Sequence, residues 1–137
     1  MDNIGAFISN VKNSRKRTGV IYCEGLFSPM LEQFKIVIPE ICFIDCAEFY
    51  TNSLIFSPKE LLDKIEDESK GRTTIVANLE TFIVSNSSGF KDEIARLLTS
   101  REPIKPIFFF FYSKKLFRGF RDIYKSKELN RYNTIEL

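Results

Sequence analysis

The run IFFFFY at residues 107–112 decides the fold, because it is the longest unbroken apolar stretch in the chain. A strand without a polar side is expected to be covered on both faces, and such strands are typical of parallel sheets flanked by helices. The run is far shorter than the roughly 20 apolar residues that a membrane-spanning helix needs. We therefore expect a central strand of a parallel sheet and no membrane span.

Helical and strand-like segments alternate outward from this run. Ile4, Phe7, Ile8 and Val11 form an apolar stripe that predicts a helix over residues 2–13. The remaining patterns predict strands at 20–23, 41–50, 73–84 (with a break near Asn78) and 131–137, and helices at 29–36, 58–68, 90–99 and 113–127. This order predicts one α/β domain over residues 1–137: a three-layer sandwich with a mostly parallel five-stranded sheet, in which residues 1–17 are an N-terminal helix and a basic connector.

Serine residues mark several of the predicted helix starts. Ser57 and Glu60 form a capping box around Pro58, Ser28 precedes a proline in the same way, and Ser113 follows the apolar run. Residues 69–71, Ser-Lys-Gly, are expected to end the helix that Ser57 begins.

The composition excludes several classes of protein. A chain of 137 residues with 44% hydrophobic content suffices for one core, and a net charge of +2 argues against a disordered chain or a wholly basic nucleic-acid coat. Histidine is absent, which removes Ser-His and Cys-His nucleophile pairs. Cys23, Cys42 and Cys46 are too few for a closed zinc site and indicate buried reduced thiols. We expect a cytoplasmic protein with no secretory signal, no metal and no cofactor, and not an enzyme.

Ligands of parallel α/β sheets bind at the carboxyl ends of the strands, which directs attention to residues 24–28, 45–50, 78–80 and 112–115. The first of these segments is where a phosphate-binding loop would lie. Gly25 is present, but residues 25–32, GLFSPMLE, lack the second glycine and the lysine that cradle phosphates. Nucleotide hydrolysis at this loop is not expected.

The segment TTIVANLE at residues 73–80 looks like a Walker B strand in which Asn78 stands at the position of the magnesium-binding Asp. Glu80 matches the nearby water-polarising Glu, and Ser113 matches a sensor position at the end of the fourth strand. Over about residues 18–137 the chain thus resembles the AAA+-type branch of P-loop NTPases. It is also similar to the small P-loop-like proteins of bacteriophage-exclusion (BREX) defence systems.

This resemblance implies a P-loop-like strand order and a vestigial nucleotide site at Gly25, Asn78, Glu80 and Ser113. It also implies a non-catalytic adaptor or assembly subunit of a bacterial or phage nucleic-acid-directed complex, with antiphage defence as the most specific context. Its partner would be a protein of that complex, and self-association stays open. The altered phosphate loop and Asn78 put the ATPase activity of the family in doubt.

A second resemblance involves the same region. NLE at 78–80 followed by NSSGF at 86–90 is similar to the strand, turn and helix of STAS domains, in which a turn serine is phosphorylated. Ser87 and Ser88 match that serine, which implies a phosphoserine-regulated partner-binding domain. The strand and helix inserted at residues 41–68 depart from the STAS order, and a capped turn also explains these serines.

Positive charge is concentrated in two segments, with +4 over residues 12–17 and +5 over residues 112–131. If they converge, they form a nucleic-acid-binding or acidic-partner surface, and the candidate contacts are Arg15, Lys16, Arg17, Lys114, Lys115, Arg118, Arg121 and Lys125. Phe117, Phe120 and Tyr124 interleave with the second segment, in the pattern of either base-stacking residues or the buried face of a helix with a solvated basic side.

Asp45, Glu48 and Glu80 raise a nuclease hypothesis, since carboxylates at strand ends can hold magnesium beside a phosphate. The lysine that normally accompanies such a cluster is not evident in the sequence. We therefore rank this hypothesis below the adaptor and the nucleic-acid-binding module.

Overall fold

The computed structural model describes residues 2–23, 27–52, 57–86, 88–98, 100–126 and 133–136. Its elements in chain order are α1 (Asp2–Asn13), β1 (Thr18–Tyr22), α2 (Phe27–Val37), β2 (Cys42–Asp45), a 3₁₀ helix (Cys46–Asn52), α3 (Pro58–Ser69), β3 (Thr74–Ala77), α4 (Leu79–Ser85), α5 (Ser88–Leu98), β4 (Ile107–Phe111), α6 (Lys114–Ser126) and β5 (Thr134–Glu136).

The five strands form one sheet in the order β2-β3-β4-β1-β5, and every pairing is parallel. The apolar run forms the central strand β4, which lies between β1 and β3. Ile107 stands beside Thr18 on one side and Thr74 on the other. The predicted α/β sandwich is confirmed, and its sheet is parallel throughout.

Alternate residues of β4 belong to two separate hydrophobic clusters, one on each face of the sheet. Phe108 and Phe110 pack with α1 and α2, whereas Phe109 and Phe111 pack with α3, α5 and α6. All four rings are at most 1% exposed, which confirms that both faces of this strand are covered. The predicted stripe of α1 is buried as well, at Ile4, Phe7, Ile8 and Val11.

The strand expected over residues 41–50 is shorter than predicted. β2 ends at Asp45, whose side-chain oxygen accepts a hydrogen bond from the Ala47 backbone N–H at 2.9 Å. Such a side-chain turn draws the backbone away from the sheet, and the chain continues as the 3₁₀ helix. Cys46 is completely buried there, so its apolar character reflects packing below the sheet edge and not strand formation.

The prediction of a strand over residues 73–84 is wrong in its second half. β3 ends at Ala77, and Asn78 adopts a left-handed backbone conformation with φ of 63°. Asparagine tolerates this conformation better than most residues, and it turns the chain into α4. Leu79, Phe82 and Ile83 then bury one side of that helix, so packing outweighs the strand propensity of its β-branched and aromatic residues.

Helix starts were predicted with mixed success. The Ser57 capping box is present in both directions, and α3 ends at Ser69, within the predicted stop at residues 69–71. Its C-cap, Lys70, adopts the left-handed conformation. α2 begins at Phe27, two residues earlier than expected, so Ser28 lies within the helix and does not precede it. Pro29 fits there because the backbone N–H groups of a first turn have no acceptor within the helix.

Candidate functional site

Polar residues from neighbouring strands meet at the carboxyl edge of the sheet. Asp45 ends β2, Asn78 and Glu80 follow β3, and Tyr112 and Ser113 follow β4. These strands are adjacent and parallel, so residues far apart in sequence lie side by side. Asn78, Glu80 and Ser113 are thereby in one region, as the sequence predicted.

The carboxylate of Glu80 joins the start of α4 to the start of α6. One oxygen accepts a hydrogen bond from the Tyr112 N–H at 2.7 Å, and the other accepts one from the Ser113 N–H at 2.8 Å. Both lengths are typical of hydrogen bonds strengthened by a charge. The Ser113 hydroxyl in turn accepts a hydrogen bond from the Leu116 N–H at 3.3 Å and caps α6. Glu80 is therefore held in a structural contact with the backbone after β4.

Asn78 joins β3 to β2 in a similar way. Its side-chain amide donates a hydrogen bond to Oδ1 of Asp45 at 2.7 Å, and the same oxygen accepts the Ala47 N–H. In the Walker B comparison this side chain would contact magnesium. Here it fixes the conformation of a carboxylate on the neighbouring strand.

The carboxylates of Asp45 and Glu80 disfavour a phosphate beside Tyr112. Burial raises the pKa of Tyr112, and the charges of Asp45 and Glu80 raise it further. A raised tyrosine pKa reports a region in which a second negative charge is unfavourable. A nucleotide phosphate placed beside Tyr112 would meet the same two carboxylates.

The metal-dependent hypotheses receive no support from the described residues, among which no three metal-ligating side chains form a cluster. Asp45 and Glu80 are both engaged in the contacts above, and Glu48 lies exposed on the 3₁₀ helix. Two other site predictions, Gly25 and Ser87, lie outside the described residues. Ser88 is the first residue of α5, and its side chain lies outside the described part of the chain.

Arg17 of the first basic segment and the start of the second lie at opposite edges of the sheet. The chain returns to the amino edge after α6, where the Asn133 side chain donates a hydrogen bond to the Ser14 hydroxyl at 3.1 Å. Arg17 immediately precedes β1 at the amino edge, and its carbonyl accepts the Ile107 N–H. Lys114 and Arg118 approach Glu136 at the end of β5, with nitrogen–oxygen distances of 3.6 and 2.7 Å. The ends of β1, five residues long, are about 13 Å apart at roughly 3.3 Å per residue. Arg17 is therefore separated from Lys114 and Arg118 by about the length of β1, and that the two segments form one surface stays a prediction.

Much of this positive charge is balanced locally. At the amino edge, Glu102 pairs with Arg15 at 2.7 Å and with Lys16 at 3.6 Å. At the carboxyl edge, Arg121 joins Lys114 and Arg118 around Glu136. These cations lower the pKa of both carboxyl groups, with the side-chain hydrogen bonds from Arg15 and Arg118 as the largest causes. Lys115 is exposed in the first turn of α6, and the side chain of Lys125 lies outside the described residues.

The aromatic residues of α6 belong to the core. Phe117 and Phe120 are completely buried, and both rings contact Phe111 of β4. Base stacking by these two rings is therefore excluded, and the buried-face interpretation of the helix holds for them. Tyr124 has a side chain outside the described residues.

The three cysteines are buried and outside any disulfide, which agrees with the expectation of reduced core thiols. Burial, with a contribution from the adjacent Asp45 charge, raises the pKa of Cys46 to about 12. Burial also raises the pKa of Cys23. Cys23 and Cys46 therefore lack the depressed pKa of catalytic cysteines.

We expect the native thiols to resist modification by Ellman's reagent at pH 8. At that pH the thiolate fraction of a group with a pKa of about 12 is roughly one in ten thousand, and the thiolate is the nucleophile. Adding denaturant should release all three thiols. Rapid modification of Cys46 in the native protein, located by peptide mass spectrometry, would contradict this assignment.

The sequence indicated Asp45, Asn78, Glu80 and Ser113 at the carboxyl edge but not the contacts that these residues make. These contacts join residues from different strands, so no local pattern encodes them. They are the hydrogen bonds from the Tyr112 and Ser113 N–H groups to Glu80 and the contact between Asn78 and Asp45. The predicted parallel topology was the one indication that these residues lie close together, because it places the carboxyl ends of successive strands at one edge of the sheet.

No family model, curated protein or solved structure matches the chain. Among the described residues, no helix combines the length and the apolar character needed to cross a membrane.

Proposed function

We propose that this chain is a non-catalytic P-loop-like domain that serves as an adaptor or assembly subunit of a bacterial or phage nucleic-acid-directed complex. Antiphage defence is the most specific context that the resemblance implies. The observation that carries the proposal is the Glu80 carboxylate, whose two oxygens accept the Tyr112 and Ser113 N–H groups. A carboxylate occupied in this way is poorly placed to polarise a water molecule.

Two further features support the proposal. The sheet order β2-β3-β4-β1-β5 places β4 between the strand that would precede a phosphate loop and the strand that would carry Walker B residues, in agreement with a P-loop-like layout. Asn78, in place of the magnesium-binding Asp, is committed to Asp45. The strand order therefore agrees with that of P-loop domains, while the domain's own side chains occupy the carboxyl edge where a nucleotide would bind.

The alternative of a nucleic-acid-binding module is less well supported. It relies on the two basic segments, whose cations are partly neutralised by Glu102 and Glu136. Nucleic-acid affinity grows with the number of phosphates that cations neutralise, and cations already paired with carboxylates contribute less to it. No described contact favours the STAS-like alternative.

We expect no binding of ATP with magnesium at millimolar concentration by isothermal titration calorimetry, and no phosphate release. The reasons are the engaged Glu80, the replaced Asp and the negative charge beside Tyr112. Magnesium-dependent binding that Asn78→Ala abolishes would overturn the proposal and restore a nucleotide-dependent enzyme.

The same preparation tests the alternative with duplex DNA and single-stranded RNA at physiological salt. We expect dissociation constants no tighter than the roughly 10⁻⁴ to 10⁻⁶ M of non-specific binding. Tighter, salt-dependent binding that is lost when Arg15 and Lys16 are changed to Glu would favour a nucleic-acid-binding module instead.

A further inference from the structure

A groove of about 540 Å³ lies at the amino edge of the sheet, opposite the site described above. Arg17, Thr73 and Pro106, which lie just before β1, β3 and β4, form its floor. Its walls come from α1, from the end of α2 and from the loop that precedes β4. Its volume lies within the range of sites that bind small ligands or short peptide segments.

Exposed aliphatic side chains line this groove. Ile104 is 77% exposed and Val37 is 54% exposed, although both are large hydrophobic residues. Ile104 also borders a neighbouring depression of about 270 Å³, so it projects between two concave surfaces. Clustered exposed aliphatic residues at a concave surface are typical of interaction sites.

The charge of the groove is positive. Among the described residues, Lys12, Arg17 and Lys105 line it, against the one carboxylate of Glu40. The Arg17 guanidinium donates a hydrogen bond to the neutral Pro103 carbonyl at 3.1 Å, and in the part of the chain that the structure describes no carboxylate pairs with it. The occupant expected from charge complementarity is therefore negatively charged.

The backbone of Arg17 is held in an unusual conformation at this position. Its φ of 48° is left-handed, which is uncommon for a residue other than glycine. The Ser14 hydroxyl accepts its N–H at 3.1 Å, and the Ile107 N–H donates to its carbonyl at 3.0 Å. The surrounding structure thus fixes a long cationic side chain at the floor of the groove.

We propose that this groove docks an acidic segment of a partner protein that also carries aliphatic residues. Its carboxylates pair with Lys12, Arg17 and Lys105, and its aliphatic side chains cover Ile104 and Val37. A nucleic-acid backbone would satisfy the cations but leave the aliphatic residues in water, so an acidic protein segment fits better. This inference rests on the proposed adaptor function, and it assigns the partner to the edge remote from Glu80.

The test begins with a selection of random 12-residue peptides displayed on phage against the whole chain. We expect the enriched peptides to combine Asp or Glu with Leu, Ile or Val. A synthetic copy of the most enriched peptide, titrated into ¹⁵N-labelled protein, should shift the backbone amide signals of residues 37, 38, 40, 104 and 105.

Two variants and one control then locate the site. Lys105→Glu and Ile104→Ala should each weaken binding of that peptide about tenfold, since both change exposed groove residues that are expected to contact it. Lys115→Glu makes the same charge change on the exposed face of α6 and should alter affinity less than about twofold. Circular dichroism of each variant checks that the fold is retained.

Other outcomes overturn the inference. Peptides without acidic residues, no enrichment, shifts confined to residues 78–80 and 112–113, or equal weakening by Lys115→Glu would each contradict it. Duplex DNA that shifts the groove signals in place of the peptide would assign the groove to nucleic acid. A parallel titration with ATP and magnesium distinguishes the two proposals, because shifts at 78–80 would refute the adaptor function without affecting peptide binding at the groove.

Discussion

Replacing Glu80 with alanine is expected to lower the free energy of unfolding by about 2 kcal/mol, the range found when a charged hydrogen-bond partner is removed. The substitution leaves the Tyr112 and Ser113 N–H groups without their acceptor and disconnects α4 from the start of α6. It also removes a negative charge from the first turn of α4, where the helix dipole favours one. Urea denaturation followed by circular dichroism measures the change.

Glu93→Ala is the matched control for this experiment. Glu93 also lies on a helix, but it pairs with Arg96 on the protein surface, and such pairs contribute little. Its replacement should change the free energy of unfolding by less than about 0.5 kcal/mol. Glu80→Gln should give an intermediate loss of about 1 kcal/mol, since its amide nitrogen cannot accept a hydrogen bond from the second N–H group.

The result bears directly on function. A catalytic carboxylate can usually be replaced at little cost to stability, whereas a structural one cannot. If Glu80→Ala leaves stability unchanged but abolishes a nucleotide-dependent activity, the assignment of Glu80 as a structural residue is wrong. If stability falls and no activity exists to lose, the carboxyl edge is closed by its own side chains, as proposed.

Local patterns in the sequence predicted much of the fold. The run at 107–112 gave the buried central strand, the stripe of α1 gave its buried face, and Ser57 with Glu60 gave the start of α3. Each of these features depends on residues close together in sequence. Residues 79–84 were assigned to a strand because Thr, Phe, Ile and Val favour strands, yet Asn78 ends β3 and packing imposes a helix.

The candidate sites were less predictable because they depend on contacts between distant segments. The sequence indicated Asn78, Glu80 and Ser113 but not that Glu80 binds the backbone after β4. It also indicated two basic segments without revealing that Glu102 and Glu136 pair with several of their cations. The amino-edge groove was missed altogether, although Ile104 between Pro103 and Lys105 is an aliphatic residue in a polar loop and hence a local sign of exposure.

Phe108→Ala is expected to lower the free energy of unfolding by about 4 kcal/mol, within the range for removing a buried phenylalanine. Phe108 is completely buried on the face of the sheet covered by α1 and α2. Its ring centre lies 5.1 Å from that of Phe34 and 5.9 Å from that of Phe7. The substitution opens a cavity between both helices and the central strand, and urea denaturation measures the loss.

Phe43→Ala provides the comparison for this variant. Phe43 lies on the edge strand β2 and is 45% exposed, so its truncation removes less buried surface. We expect a loss of about 1 kcal/mol, mostly from reduced strand propensity and partial burial. Equal losses in the two variants would contradict the assignment of Phe108 to a closely packed layer.

Gly19 explains why this layer accommodates so large a ring. A Cβ atom at Gly19 would lie 2.9 Å from both Phe108 Cδ1 and Phe7 Cζ, closer than such atoms normally approach. Gly19→Ala alone should therefore cost about 1–3 kcal/mol through overpacking.

In the Phe108→Ala background one of these clashes is gone and the new methyl group fills part of the cavity. The double variant should then be more stable than the sum of the single losses predicts, by about 1 kcal/mol or more. If the two losses in free energy of unfolding are strictly additive, α1 and β4 do not contact each other over Gly19. The position of α1 as one wall of the amino-edge groove would then be wrong.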